Sequence, residues 1–193
     1  MVQRFADSMH IDYEKWHDGI GYNVTLINEA NAADKAAIES LLLSRGAQGW
    51  REVEALATLD TPHARTALLS AASSADTEIR MAVSRFAPQL IPTDKKVASL
   101  VAALETGEFY GGLTQAMQQV EHLHPPEVID ALFRGILQRS GDVACHFAAM
   151  LLFLHGKADE PFDWNHRPFF LRFNTENRAE RQAAFQELVK RTG

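Results

Sequence analysis

The sequence predicts an all-α protein built from antiparallel helix pairs, and three observations lead to that prediction. Apolar residues recur at helical spacing from residue 50 to residue 156, where the alternation typical of strands is hard to find. Pro62, Pro92 and Pro125 precede or open three of these stretches and stand 30 and 33 residues apart. A short polar break then divides each stretch in two. The predicted unit is therefore helix, turn, helix, repeated three times.

The chain before the repeats divides into a cap and two helices. Residues 1–30 combine aromatic and acidic side chains with no clear period, and we expect them to cap the helical pairs. Residues 31–46 are predicted to form a helix, with Asn31 as its N-cap and Gly46 as the residue that ends it. Another helix is expected to begin at about Trp50.

The repeats are predicted to bury apolar stripes along their helices. Residues three and four apart lie on one face of a helix, so apolar side chains at this spacing form a packing surface. One helix pair cannot cover its own stripe and needs a neighbouring pair. The stripes consist of Ile79, Val83 and Phe86; Val97, Leu100, Val101 and Leu104; Val128, Ile129, Leu132, Phe133, Ile136 and Leu137; and Val143, Phe147, Met150, Leu151 and Leu154.

The last 37 residues, 157–193, are predicted to form an aromatic loop and a final helix. Phe185, Leu188 and Val189 are expected on the buried side of that helix. Glu176 and Glu180 are expected in its first turns, and the basic residues Lys190 and Arg191 in its last, where each charge suits the helix dipole.

The first repeat resembles a HEAT repeat. The resemblance consists of a proline-led first helix and a D-x-x-[VI]-R-like start to the second. The residues that carry it are Asp60, Pro62, Ala67 and Leu68, then Asp76, Glu78, Ile79, Arg80 and Ala82. The second repeat has Tyr110 or Gly111, and the third has Ala144, where the family has its arginine. The resemblance covers about half of the chain and implies a short α-solenoid. On this basis residues 1–193 form one domain, with a cap over 1–30, helical pairs over 31–156 and the aromatic loop and last helix over 157–193.

Composition excludes several classes of protein. The chain has 193 residues, one cysteine and a formal net charge of −6. A lone Cys145 rules out an intrachain disulfide framework and favours a reducing, cytoplasmic location. Neither a signal peptide nor a run of apolar residues long enough for a membrane span is found. We expect no membrane partner, no cofactor and no metal.

Histidines and the cysteine are the candidates for chemistry. His122 and His124 point apart on a helix, and no third ligand stands at a suitable spacing. Cys145 lies on an apolar helix, so a buried thiol is expected rather than a nucleophile. His10 and His17, among acidic residues, form either a catalytic group or a polar cap with Tyr13 and Trp16 packed beneath it.

Two further segments leave alternatives open. Two consecutive glycines, Gly111 and Gly112, indicate either a helix that starts late or a close approach by another backbone or a partner. The segment 160–170 contains Trp164 among charged residues and three phenylalanines. It either binds a partner or seals the end of the helical stack, and both roles are compatible.

The leading functional prediction is protein binding without catalysis. Small acidic proteins of this predicted shape resemble the HEAT-like immunity proteins of bacterial toxin systems, which bind and block a toxin. The resemblance implies a basic partner protein, and the most acidic third, residues 1–60, carries ten acidic against five basic side chains. The predicted partner-binding residues are the acidic Asp12, Asp18, Glu78, Glu105, Glu108 and Asp142, with Tyr110 and Trp164 as aromatic anchors.

Other classes of function remain open at this point. The HEAT-like alkylpurine DNA glycosylases are enzymes on a similar scaffold, but they need a basic groove for DNA phosphates, and the net negative charge argues against a nucleic-acid partner. A scaffold subunit or a bilin-lyase-like helper is also compatible with a helical repeat. The sequence does not determine the oligomeric state.

Overall fold

The computed structural model describes residues 1–139 and 141–193, and within them the side chain of Tyr110 also lies outside the description. These described residues form helices and turns without a strand, which confirms the all-α prediction. The chain separates into two compact units, Met1–Lys96 and Val97–Gly193. The single domain and the solenoid stacking of the pairs remain predictions.

The first unit contains seven complete helices. Its helices are α1 (Val2–Ser8), α2 (Tyr13–His17), α3 (Thr25–Glu29), α4 (Ala32–Arg45), α5 (Trp50–Leu59), α6 (Pro62–Ala71) and α7 (Thr77–Phe86), followed by a 3-10 turn at Pro88–Leu90. Helix α5 packs against α3, α4, α6 and α7, which makes it the centre of this unit. The largest side chains buried in this core include Phe5, Ile27, Ile38, Leu42, Leu56 and Leu68.

Local capping explains where the predicted helices of this unit begin and end. The Asn31 side chain accepts a hydrogen bond from the Asp34 N–H at 2.9 Å, and α4 ends at Gly46, whose φ of +73° suits glycine. Helix α5 begins at Trp50, as expected. The Asp76 carboxylate accepts from the Glu78 N–H and caps α7.

The arginine of the HEAT-like motif has a structural role in this unit. Arg80 donates from Nη1 to the carbonyl oxygens of Ser74 and Ala75, and from Nη2 to the Thr77 hydroxyl. These bonds hold the turn between α6 and α7. The arginine therefore stabilises the α6–α7 pair through contacts within that pair.

The N-terminal 30 residues contain three short helices that the sequence did not predict. Helix α1 places Phe5 in the core, and α3 adds Leu26 and Ile27. Each of these helices has only five to seven residues, and fewer than two turns cannot display a 3.6-residue period. The predicted cap is therefore partly a component of the core.

The second unit is built around a tightly packed helix pair. Its helices are α8 (Thr93–Thr106), which crosses the boundary, then α9 (Thr114–Val120), α10 (Pro126–Gln138), α11 (Asp142–Leu154), α12 (Arg167–Phe170) and α13 (Arg178–Thr192). Helix α11 packs against α10, α12 and α13. It is buried on nearly all sides, because all residues from Phe147 to Leu152 are inaccessible to solvent or almost so.

The segment between α8 and α9 departs from the first repeat. Residues Phe109–Leu113 form a π-helical turn, and Gly112 has a φ of +98°, which favours glycine. The regular helix α9 begins only at Thr114, so it starts late, which is one of the two alternatives that the glycine pair left open.

The final helix differs in detail from its prediction. It begins at Arg178, with Asn177 as its N-cap, so Glu176 precedes it. Leu188 is fully buried and Phe185 half-buried, but Val189 is exposed. Among the described residues no helix combines the length and the apolar character needed to cross a membrane.

Candidate functional site

Helix α2 presents large apolar side chains to solvent. Tyr13 is 73% exposed, Trp16 is 58% exposed, and Ile20, just after the helix, is 47% exposed. The Tyr13 ring lies 6.1 Å from the Trp16 ring and 5.9 Å from the His17 ring, measured between centroids. This spacing follows from helix geometry, since residues three and four apart share a face. The four side chains, Tyr13, Trp16, His17 and Ile20, are here named the α2 surface.

A helix of five residues needs outside support, and α2 receives it at both ends. At its start the Asp12 carboxylate accepts from the Lys15 N–H at 2.9 Å. At its end the Arg51 side chain, from α5, donates to the carbonyl oxygens of Ile20 at 2.8 Å and of Lys15 at 3.4 Å. The segment that displays the aromatic side chains is thus hydrogen-bonded to its own N-cap and to α5.

The immediate surroundings of the α2 surface are acidic. Asp12, Glu14 and Asp18 are exposed on or beside the helix. The single lysine of the helix, Lys15, is half-buried, and its ammonium donates a hydrogen bond to the His10 carbonyl oxygen at 2.9 Å. His17 Nδ1 lies 3.0 Å from the Asp18 carboxylate. Three carboxylates thus stand against two cations, Lys15 and Arg51, whose side chains both bond to backbone carbonyl oxygens, so the local formal charge is −1.

The polar-cap alternative for this segment is wrong in one respect. It placed Tyr13 and Trp16 beneath a polar layer, whereas both rings are exposed. The sequence signal was present, since two aromatic residues three apart lie among acidic residues. What could not be read was which side of so short a helix faces the core.

The predicted partner-binding residues fall in both units. In residues 1–96, Asp12 and Asp18 flank the α2 surface, while Glu78 lies half-buried in the first turn of α7. In residues 97–193, Glu105 pairs with Arg134 at 2.8 Å, Glu108 precedes the π-helical turn, and Asp142 opens α11. The Tyr110 side chain lies outside the described part of the chain. The structure thus places two of the predicted residues beside the exposed rings of the first unit.

Trp164 stands out in the second unit because it is 67% exposed. The Arg167 guanidinium lies 5.2 Å from the centre of its ring. The neighbouring Phe169 and Phe170 are buried, so the segment 160–170 does contribute to the core of its unit. Trp164 itself is free for contact with a partner.

Cys145, His146 and His124 each make packing or backbone contacts in the second unit. Burial raises the pKa of the Cys145 thiol to about 11, with a smaller contribution from Asp142. His146 is half-buried between the rings of Phe109 and Phe162, and this burial lowers its pKa. His124 Nδ1 lies 2.8 Å from the Val120 carbonyl oxygen. Within the described ranges no three or more His, Cys, Asp or Glu side chains are arranged to hold a metal ion.

Comparisons with protein-family models, with curated proteins and with solved structures find no match to this chain. The resemblances to helical-repeat and immunity proteins therefore stay predictions.

Proposed function

We propose that this chain is a non-catalytic protein-binding module that docks a basic partner protein through the α2 surface. The observation that carries the proposal is the exposure of Tyr13, Trp16 and Ile20 side by side on a segment that hydrogen bonds tie to α5. Water-exposed aromatic side chains in one patch are uncommon in monomers and mark interaction sites. Tryptophan and tyrosine are also the residues that most often dominate the binding free energy of interfaces.

The charges around the α2 surface indicate that the partner's surface is basic. The carboxylates Asp12, Glu14 and Asp18 outnumber the two cations beside the rings, and the chain as a whole carries a net charge of −6. A positively charged protein surface with an apolar centre would complement both features, and opposite charges accelerate association. Because such attraction is screened by ions, added salt weakens the complex.

The test compares capture of partners by matched variants. Wild type, Trp16→Ala and Leu69→Ala are immobilised at equal density, because Leu69 on α6 is 50% exposed and provides an apolar truncation elsewhere in the same unit. We expect to capture a basic protein that binds wild type and Leu69→Ala with equal affinity. It should bind Trp16→Ala at least roughly thirtyfold more weakly, because loss of a hot-spot tryptophan costs at least about 2 kcal/mol.

Two results would contradict this proposal. Equal binding of the partner to wild type and Trp16→Ala would place the interface elsewhere, and an affinity that does not fall between 50 mM and 500 mM salt would remove the electrostatic argument.

The immunity role is a narrower form of the same proposal. If the captured partner arrests growth when expressed alone, co-expression of wild type should restore growth and Trp16→Ala should not. We further propose that this binding takes place in the cytoplasm, which the lone cysteine favours.

A further inference from the structure

A pocket of about 570 Å³ lies at the start of α13, in the second unit. The residues that line it come from the end of α10, from the segment before α13 and from the first turns of α13: Leu137, Gln138, Glu176, Arg178, Arg181 and Gln182. Its volume falls in the range of small-molecule binding sites.

Arg181 is the unusual member of this set because it is only 8% exposed and has no acidic partner among the described residues. Its Nη1 donates to the Arg139 carbonyl oxygen at 3.1 Å, and its Nη2 donates to the Thr175 carbonyl oxygen. Its Nε is buried and has no hydrogen-bond partner in the described part of the chain. Two neutral carbonyl groups do not neutralise a guanidinium, and a buried positive charge without a counter-ion is costly.

A second guanidinium lines the same pocket. Arg178 is exposed and forms no ion pair with a described residue, so its donors are available to a ligand. The amides of Gln138 and Gln182 provide further donors. Against the two arginines stands one carboxylate, Glu176, so the formal charge of the lining side chains is +1.

We propose that this pocket binds a small molecule through an oxyanion group, a carboxylate or a phosphate. Arg178 and the two glutamine amides donate hydrogen bonds to the oxyanion. The negative charge of the oxyanion neutralises the positive charge of the buried Arg181. Arginine suits this task because its planar guanidinium matches the geometry of both groups. Leu137 offers an apolar wall to the rest of the ligand. None of the residues that line the pocket belongs to the α2 surface.

The test is a titration of the full-length chain with inorganic phosphate and, separately, with acetate, at constant ionic strength, followed by ¹⁵N NMR. We expect saturable shifts of the Gln138 and Gln182 side-chain amides, and the tighter probe identifies the preferred oxyanion. Arg178→Gln removes a charge-assisted hydrogen bond and should weaken binding about tenfold or more. Gln182→Glu adds a negative charge to the wall and should weaken binding similarly.

Arg4→Gln is the matched control, because Arg4 is an exposed arginine on α1, in the other unit. It should leave the dissociation constant within about twofold, because Arg4 does not line the pocket. All the substituted residues in this set are exposed, so the fold is retained and checked by the spectrum itself. Failure of both probes to bind would overturn the proposal, and so would equal binding by Arg4→Gln, Arg178→Gln and Gln182→Glu.

Discussion

Tyr22 and Glu52 form a buried hydrogen bond that joins the segment before α3 to the central helix α5. The Tyr22 hydroxyl donates to Glu52 Oε1 at 2.5 Å, and both residues are almost fully buried. Burial and this carboxylate raise the pKa of Tyr22 to about 12. Arg45 Nη2 lies 3.8 Å from the same carboxylate oxygen, which leaves the tyrosine as its closest donor.

We predict that Tyr22→Phe lowers the free energy of unfolding by about 1–3 kcal/mol, because it leaves a buried carboxylate without its strongest hydrogen bond. Urea denaturation at pH 7 measures the change. Tyr13→Phe removes the same hydroxyl from an exposed ring and should stay within about 0.5 kcal/mol of wild type. Equal losses in the two variants would show that the Tyr22–Glu52 bond contributes nothing specific.

Cys145 should be unreactive in the folded protein. Raising the pKa of the thiol from its ordinary 9.0 to about 11 lowers the thiolate fraction at pH 8. That change alone slows alkylation about a hundredfold, and burial of the sulfur slows it further. Mass spectrometry after iodoacetamide treatment, with and without urea, measures both rates. Similar rates in the two conditions would show that α11 does not protect the thiol.

At the scale of single elements, Gly135 allows α10 and α11 to approach closely. A Cβ at this position would overlap Cε2 of the Phe147 ring, which is fully buried. In an exposed helix an alanine stabilises relative to glycine by up to about 1 kcal/mol. At Gly135 we expect alanine to destabilise the protein instead, because the buried Phe147 ring has little room to move away from the added methyl group.

Gly135→Ala is therefore predicted to lower the free energy of unfolding by about 1–3 kcal/mol, the usual cost of overpacking. The second-site variant Gly135→Ala/Phe147→Leu should lose less than the sum of its two single changes, because the smaller side chain makes room for the methyl group. Thermal unfolding of the four proteins completes the cycle. Additive losses would contradict the close contact.

The elements that could be predicted from the sequence are those whose signals are local and long enough. Helices α4, α5, α10 and α11 carry caps, prolines or several turns of apolar spacing, and the structure has each of them close to its expected place. Helices α1 to α3 and the turn at 109–113 are too short to show a period, so tertiary contacts define them.

The candidate site was predictable only in part, for a related reason. Asp12 and Asp18 were identified from charge, which the composition shows directly. The exposure of Tyr13 and Trp16 depends on which face of α2 meets the rest of the unit, and the sequence contains no stripe that determines it. The burial of the Arg181 guanidinium, with no carboxylate partner among the described residues, depends equally on contacts with Arg139, which lies far away in sequence, and with Thr175.

For the whole molecule, carboxylates with shifts of opposite sign shape the dependence of stability on pH. Burial raises the pKa values of Glu54 and Glu78, and Asp76 raises that of Glu78 further. Hydrogen bonds from Arg172 and then Arg191 lower the pKa of Glu187. A raised pKa means that the folded state holds its proton more tightly, so stability falls as pH rises through that pKa, and a lowered pKa has the reverse effect.

The two signs predict two opposite variant profiles, measured by urea denaturation between pH 3 and pH 8. Glu54→Gln/Glu78→Gln should gain stability relative to wild type as pH rises from 4 to 8, because it no longer ionises two half-buried carboxyl groups. Glu187→Gln should lower the free energy of unfolding most at neutral pH, where the wild-type carboxylate is ionised. The difference from wild type should shrink as pH falls below the ordinary glutamate pKa, because protonation of Glu187 removes the same attraction to Arg172 and Arg191 from wild type. Parallel profiles for the two variants would contradict the assignment, because a change in packing alone would shift stability equally at every pH.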